Sequence, residues 1–209
     1  IEERRIGELT WRKISFQSDP YDRVPAWLFV PAGDEKKKLA AVLCLHQTVQ
    51  AGKDEPVGLT GSKNMHYARE LAERGYVVLA PDYPSLGEHK YDFAANPEYN
   101  SGSMKAIWDN IRAVDLLQSL PEVDGERIGV IGHSLGGHNA MFTAAFETSY
   151  GTFVRMVYQK TYDGMLATPL TPDDVFLGEL LWCGIKGFMF TSVVLSVYLA
   201  FGAYHGWLK

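Results

Sequence analysis

Residues 127–137 read Arg-Ile-Gly-Val-Ile-Gly-His-Ser-Leu-Gly-Gly. The pattern Gly-x-Ser-x-Gly at 132–136 follows an apolar run that is typical of a β-strand, and small residues typical of a helix come after it. Glycine on either side lets the chain turn tightly, so that the hydroxyl of Ser134 is exposed and the N–H of Leu135 can face an incoming carbonyl group. We therefore predict that Ser134 is a nucleophile; the alternative is an ordinary strand-to-helix turn.

Apolar runs and helical periodicities alternate along the rest of the chain. The pattern predicts strands at 9–16, 24–30, 39–45, 76–80 and 127–131, and helices at 64–74, 103–120 and 135–146. Strands that alternate with helices form βαβ units, which build a parallel sheet with right-handed crossovers. The expected fold class is α/β, with a doubly wound, mostly parallel sheet and helices on both faces. Reactive groups in such sheets gather beyond the carboxyl ends of the strands, where His46, Asp82 and Ser134 fall.

The composition excludes several classes of function. The chain has 209 residues, enough for one domain, and its formal net charge of −5 offers no basic surface for nucleic acid. Its two cysteines make no disulfide framework, and no metal-binding motif such as His-Glu-x-x-His occurs, so no metal is expected. The charged residues 1–5 do not resemble a signal peptide, which favours the cytoplasm. The first residue is not Met, which fits a fragment or a processed form and leaves the compartment open.

Four segments together resemble one known family. They are Leu-Cys-Leu-His-Gln-Thr at 43–48, Gly-Lys-Asp-Glu-Pro at 52–56, Glu-Leu-Ala-Glu-Arg-Gly-Tyr-Val-Val-Leu-Ala-Pro-Asp-Tyr-Pro at 70–84, and residues 127–137. Over about residues 27–145 the chain resembles the α/β-hydrolase superfamily, and within it the branch of dienelactone hydrolases and acetyl xylan esterases. The resemblance implies a serine hydrolase that acts on small-molecule esters of short acyl groups, such as acetylated sugars, through an acyl-enzyme and without a cofactor.

The chemistry of such a hydrolase requires two N–H donors for the oxyanion of the tetrahedral intermediate. The N–H of Leu135 is one candidate, because it belongs to the residue after the nucleophile. The second donor is expected from the loop after the strand at 39–45, and we choose the N–H of Gln47. Since both are backbone groups, we expect the geometry of the loop to matter more than the side chain of Gln47; the alternative for this loop is a simple turn.

The base and the acid of the triad are expected after the serine in the chain. His205 stands in that order and is the provisional base, whereas His138, one helical turn after Ser134, is expected to be structural. The provisional acid is Asp174, which would orient the imidazole and stabilise the imidazolium. Other available acids are Asp163, Asp173 and Glu179. For Asp174 an alternative stays open, that it belongs to an acid pair at a helix N-terminus.

The resemblance fades after about residue 146. We expect a single α/β-hydrolase domain over 1–209, with a family-like core at 1–146 and a divergent part at 147–209. Residues 187–208 contain no Asp, Glu, Lys or Arg, a run long enough to cross a bilayer. Three interpretations stay open: buried structure at the edge of the sheet, which we favour, a membrane-associated tail, or an altered terminus. The matching alternatives for function are a membrane-tethered esterase and a catalytically impaired hydrolase-like protein; the oligomeric state stays open.

The loop at 83–101 and the helix at 103–120 each carry a further feature. The loop at 83–101 is rich in aromatic residues and is expected either to cap the site or to pack on the surface. Within the helix at 103–120, Asp109 and Arg112 stand three residues apart, so we expect them to form an ion pair.

Overall fold

The computed structural model describes residues 2–32, 37–99 and 101–157, together with residues 171, 174, 177, 178, 181, 185, 188 and 192. Contacts between Cα atoms divide the chain into two compact units, Ile1–Ser149 and Tyr150–Lys209. The division falls close to residue 146, where the resemblance ends. The first unit carries the sheet and the Ser134 turn, and the second carries the divergent part.

The described residues form six strands and the helices that connect or follow them. The strands are β1 (Glu2–Ile6), β2 (Leu9–Asp19), β3 (Asp22–Pro31), β4 (Leu39–Leu45), β5 (Val77–Pro81) and β6 (Val123–Gly132). The helices are α1 (Tyr67–Glu73), α2 (Gly102–Ser119) and α3 (Leu135–Val157), with short 3-10 turns at Gly52–Asp54 and Lys63–Met65.

The six strands form one mixed sheet in the order β1-β2-β3-β5-β4-β6. Strand β4 is parallel to β5 and to β6, whereas β1, β2, β3 and β5 pair antiparallel in succession. The two kinds of pairing follow from the connections, because a tight turn joins β2 to β3, while a parallel partner needs a crossover long enough to hold a helix. The α/β class with helices is confirmed, and its parallel part lies at β4, β5 and β6.

Both faces of the sheet are covered by helices. Successive residues of a strand point to opposite faces, so Leu43 and Leu45 pack with Leu117 of α2 in one buried cluster. Cys44, between them, packs on the other face with Ala72 of α1 in a second buried cluster. The arrangement places the carboxyl ends of β4, β5 and β6 at the same edge of the sheet.

Several element boundaries differ from the sequence prediction. Strand β6 begins before the predicted strand at 127–131, because β4 pairs with β6 from Leu39↔Val123 onward, across an irregularity in register. The helix predicted at 64–74 begins later, because Asn64 lies in the 3-10 turn and α1 is preceded by His66. Helix α3 continues beyond 146 to Val157.

No helix within the described part of the chain is long and apolar enough to cross a membrane. Of the uncharged run 187–208, only residues 188 and 192 belong to that part.

Candidate active site

The turn at Ser134 is strained in the way the sequence predicts. Ser134 is exposed and has φ = 52°, a left-handed conformation that L-residues with a Cβ seldom adopt. Neither flanking glycine has room for a side chain. A Cβ on Gly132 would overlap the backbone of Gly136, and one on Gly136 would overlap the carbonyl groups of Leu45 and His46. The start of α3 is therefore packed directly against the end of β4.

This close approach leads to a prediction for Gly136→Ala. We expect the substitution to lower the free energy of unfolding by about 1–3 kcal/mol, because the backbone atoms it meets cannot rotate away. Gly129→Ala is a matched control in the same part of the chain, since a Cβ there has nothing within 4 Å. Urea unfolding of the two variants measures the difference. If Gly136→Ala is as stable as Gly129→Ala, the close packing of α3 on β4 is wrong.

Among the described residues, the backbone N–H groups of Gln47 and Leu135, next to this turn, donate no backbone–backbone hydrogen bond. Leu135 is the first residue of α3, where N–H groups lack a partner within the helix and the helix dipole favours negative charge. Gln47 follows the carbonyl groups of Leu45 and His46 that Gly136 approaches. Both donors thus lie where the ends of β4 and β6 meet, beside the exposed Ser134.

The side chain of Gln47 helps to set the geometry of the loop after β4. Its Nε2 donates to both carboxylate oxygens of Glu55, at 3.1 and 2.9 Å, and its Oε1 accepts from Nδ1 of His133 at 3.2 Å. Glu55 is buried. The amide therefore connects the loop after β4 to the residue that precedes Ser134.

His46 holds the same loop from the opposite side. Its Nδ1–H donates to the carbonyl oxygen of Gln47 at 2.6 Å, and its Nε2 accepts from the N–H of Tyr83 at 3.1 Å. Burial lowers the pKa of His46, so the neutral ring can fill both roles at once. Because both ring nitrogens are occupied, His46 positions the peptide of Gln47 and is not free to act as a base.

A buried ion pair beneath the site was missed by the sequence analysis. The Nζ of Lys53 lies 2.9 Å from Oδ2 of Asp82 and 2.9 Å from Oε2 of Glu88, and both Lys53 and Asp82 are fully buried. Asp82 also accepts the N–H of Lys53 at 2.7 Å and that of Glu88 at 2.9 Å. The sequence signal was present in Gly-Lys-Asp-Glu-Pro at 52–56 and in the aspartate after β5, but their pairing links two separate loops.

A second buried charge cluster involves Lys105 of α2. Its Nζ is ion-paired with Asp109, and with Asp22 at 2.6 Å. Since Arg112 pairs with Asp115, the expected pair between Asp109 and Arg112 is wrong. One ligand atom each from Asp22, His89 and Asp109 lie within 4.8 Å of one another, a spacing that could hold a metal ion. The ammonium group of Lys105 already supplies the positive charge there.

Two aromatic residues of the loop at 83–101 pack on the charge cluster around Lys105. The rings of Tyr91 and Tyr99 lie 5.0 and 5.4 Å from the Nζ of Lys105. Tyr83 is buried against His46, with 4.5 Å between ring centroids. Tyr83, Tyr91 and Tyr99 of this loop therefore pack against other parts of the protein.

The predicted triad partners of Ser134 are placed as follows. Within the described residues, the hydroxyl of Ser134 makes no hydrogen bond to a histidine. The Nδ1 of His138 donates to Oδ1 of Asn139 at 3.0 Å, and its ring lies 4.7 Å from that of Phe142. His205 lies outside the described residues.

Asp174 belongs to the second unit and forms a reciprocal cap with Thr171. Its Oδ2 accepts from the N–H of Thr171 at 2.8 Å and from the hydroxyl at 2.6 Å, while its own N–H donates to that hydroxyl at 3.2 Å. Such a box is typical of a helix N-terminus, and Asp174 itself is helical. The hydrogen bonds from Thr171 lower the pKa of Asp174. This is the capping arrangement that the sequence left open as the alternative.

The family model of dienelactone hydrolases matches residues 31–155, which include β4, β5, β6 and the Ser134 turn. The chain belongs to the dienelactone hydrolase family. The resemblance in the sequence is thereby confirmed. A solved structure with the same fold is acetyl xylan esterase 1 from Thermoanaerobacterium sp. JW/SL YS485, with a TM-score of 0.53 and 18% identity over 70% of this chain and 48% of that one.

Two other proteins are similar in sequence to this member of the dienelactone hydrolase family. Dipeptidyl-peptidase 5 of Porphyromonas gingivalis is 33% identical over 148 residues, which are 65% of this chain and 20% of that protein. Nodulation protein J of Bradyrhizobium diazoefficiens is 39% identical over 69 residues, which are 33% of this chain and 26% of that protein. The chain thus spans about a fifth to a quarter of the length of these relatives.

Proposed function

We propose that this chain is a serine esterase that cleaves carboxylic esters of short acyl groups through an acyl-enzyme intermediate. The observation that carries the proposal is the exposed Ser134 at φ = 52°, held between two glycines that have no room for a Cβ. A nucleophile on such a turn projects above the carboxyl ends of the strands, where a substrate carbonyl can approach it. The N–H groups of Gln47 and Leu135 beside it support the same reaction.

The proposed reaction has two half-reactions, acylation and deacylation of Ser134, and His205 takes and returns a proton in each. The hydroxyl oxygen of Ser134 attacks the ester carbonyl carbon while His205 takes the hydroxyl proton, which forms a tetrahedral intermediate. The N–H groups of Leu135 and Gln47 donate to its oxyanion. The intermediate then expels the alcohol, which receives the proton from His205 and leaves the acyl group on Ser134. In the second half, water attacks the acyl-enzyme by the same route and releases the acid.

Asp174 is the proposed acid that orients His205. Both hydrogen bonds from Thr171 go to Oδ2 of Asp174, and no other described residue bonds to Oδ1, the oxygen proposed to accept from an imidazole N–H. A carboxylate there would hold the correct tautomer and stabilise the imidazolium. The lowered pKa of Asp174 favours the ionised form that this role requires.

The proposed substrates are small esters with a short acyl group, such as acetylated sugars. Family membership supports an ester, and the fold shared with an acetyl xylan esterase supports an acetyl group. The match to a dipeptidyl-peptidase makes peptide bonds a lesser alternative on the same fold. The proposed reaction uses no metal and no organic cofactor.

The experiment that tests this proposal compares two histidine variants. We expect the purified full chain to hydrolyse p-nitrophenyl acetate, and His205→Ala to lower kcat/KM by at least about 10³-fold, because the loss of one triad member costs several orders of magnitude. His138→Ala is the matched control and should stay within about twofold. If His138→Ala loses activity and His205→Ala keeps it, His138 is the base and the proposed triad is wrong.

A second candidate is a hydrolase-like protein that lacks a working triad. It is favoured by one observation, that no described histidine is hydrogen-bonded to Ser134. If the full chain releases p-nitrophenol no faster than the buffer alone, this candidate replaces the esterase.

A further inference from the structure

An apolar stripe is exposed on the helical part of the second unit. Leu177, Leu181, Ile185 and Phe188 are all helical, and their exposed fractions are 55%, 58%, 50% and 75%. Their spacing of four, four and three residues places them on one face of a helix. Most leucine and phenylalanine side chains of soluble proteins are largely buried, so this stripe needs something that covers it. We call these four residues the 177–188 stripe.

The chemistry of the covering surface is indicated by the sequence that follows. Residues 187–208 contain no Asp, Glu, Lys or Arg over 22 positions, although a quarter of the residues in an average protein are charged. Charged side chains are costly in the hydrocarbon core, so a run without them is compatible with contact with lipid. The run ends at Trp207-Leu208-Lys209, and Trp and Lys are typical of the membrane–water interface.

The stripe also lies outside the segment shared with the hydrolase family. The family match ends at residue 155, and the compact hydrolase unit ends at Ser149. Of the run 187–208, for which burial at the edge of the sheet is the favoured interpretation, Phe188 is described and is 75% exposed. The stripe holds none of the residues proposed for catalysis, so its contact with another surface can be tested separately.

We propose that the 177–188 stripe lies at the surface of a lipid bilayer and that its four side chains contact the acyl chains. A protein partner would be expected to meet charged or polar groups at the rim of its interface, whereas the run 187–208 offers no charge at all. A hydrocarbon phase suits both the stripe and the run. The proposal does not depend on ester hydrolysis and stands or falls separately from it.

Flotation with vesicles tests the proposal on the full chain. We expect the chain to float with phosphatidylcholine vesicles in a density gradient at low and at high salt, because the contact is apolar. The double variant Leu181→Lys with Phe188→Lys should lower the vesicle-bound fraction at least about tenfold, since a lysine is costly in the hydrocarbon core. Tyr21→Lys is the matched control; Tyr21 is 95% exposed in the first unit and its substitution should leave flotation unchanged.

Three outcomes overturn the proposal. The first is a full chain that remains at the bottom of the gradient as a monodisperse protein. The second is flotation that is equal with and without the two lysines, and the third is a dimer that the two lysines dissociate. The last result would make a second copy of the chain the partner of the stripe.

A fluorescence measurement keeps the test valid if the double variant does not fold. A polarity-sensitive dye is attached at Phe188→Cys in a Cys183→Ser background; the remaining Cys44 is buried and burial raises its pKa, so it is a poor target. We expect the emission to shift to the blue and rise severalfold on addition of phosphatidylcholine vesicles, whereas the same dye at Tyr21→Cys should not respond. Equal responses at the two positions would contradict contact with the acyl chains.

Discussion

Ser134→Ala is expected to abolish ester hydrolysis, with a fall in kcat/KM of about five to six orders of magnitude. The reason is that no other group can form the acyl-enzyme once the hydroxyl is gone, and only the oxyanion donors and substrate binding remain. Those donors are backbone N–H groups of Leu135 and Gln47, which the substitution leaves in place. Steady-state hydrolysis of p-nitrophenyl acetate measures the loss, and mass spectrometry of the intact chain shows whether an acetyl group is still captured.

The chain offers a matched control for this substitution. Ser85 is the other described non-glycine residue with a positive φ, at 68°. Its hydroxyl donates to the carbonyl oxygen of Tyr91 at 3.1 Å. Ser85→Ala repeats the chemical change in a similar backbone conformation and should leave kcat/KM within about threefold. Retained hydrolysis in Ser134→Ala, or an equal loss in both variants, would show that Ser134 is not the nucleophile.

Asp82→Ala is expected to lower the free energy of unfolding by about 3–5 kcal/mol, the usual cost of removing one partner from a buried ion pair. Burial by itself would lower the pKa of Lys53, but its hydrogen bond to Asp82 and the charge of Asp82 outweigh this effect and raise it. Without Asp82 the buried ammonium group loses that partner, and the N–H groups of Lys53 and Glu88 lose their acceptor. Such a loss is a large part of the stability of a typical domain.

Glu88→Ala is the control, because it removes the other carboxylate that bonds the same ammonium group. Its side chain is 47% exposed, so water can replace much of its interaction. We expect it to cost about 1 kcal/mol or less. Urea unfolding followed by tryptophan fluorescence measures both variants. If Asp82→Ala costs no more than Glu88→Ala, the buried pair does not hold the two loops together.

The local features of the site were predicted well from the sequence. The strand over 39–45 was placed at its observed bounds, Leu39–Leu45, and the tight turn was placed at Ser134. Both signals are local: an apolar run forms a buried strand, and two glycines allow an approach that a Cβ would prevent. Neighbouring residues are sufficient to specify such features.

The bridges between distant segments were not predicted. The amide of Gln47 joins Glu55 to His133, and Lys53 joins Asp82 to Glu88. Each bridge depends on which loops the order of the strands brings together. A charged residue in a loop is expected to be solvated unless its partner is known. The error on Asp109 has the same origin, because Lys105 and Arg112 are both at helical spacing from it and burial selects Lys105.

The sequence alone was therefore enough to establish the family, the α/β class and the reactive turn, since each is encoded within a short run of residues. Tertiary structure was needed to show that the loop after β4 is anchored by a buried glutamate, that a fully buried lysine lies beneath the site, and that the 177–188 stripe faces outward. The physical reason is that burial and pairing are properties of segments that meet in space. A side chain's own neighbours in the chain do not determine its solvation.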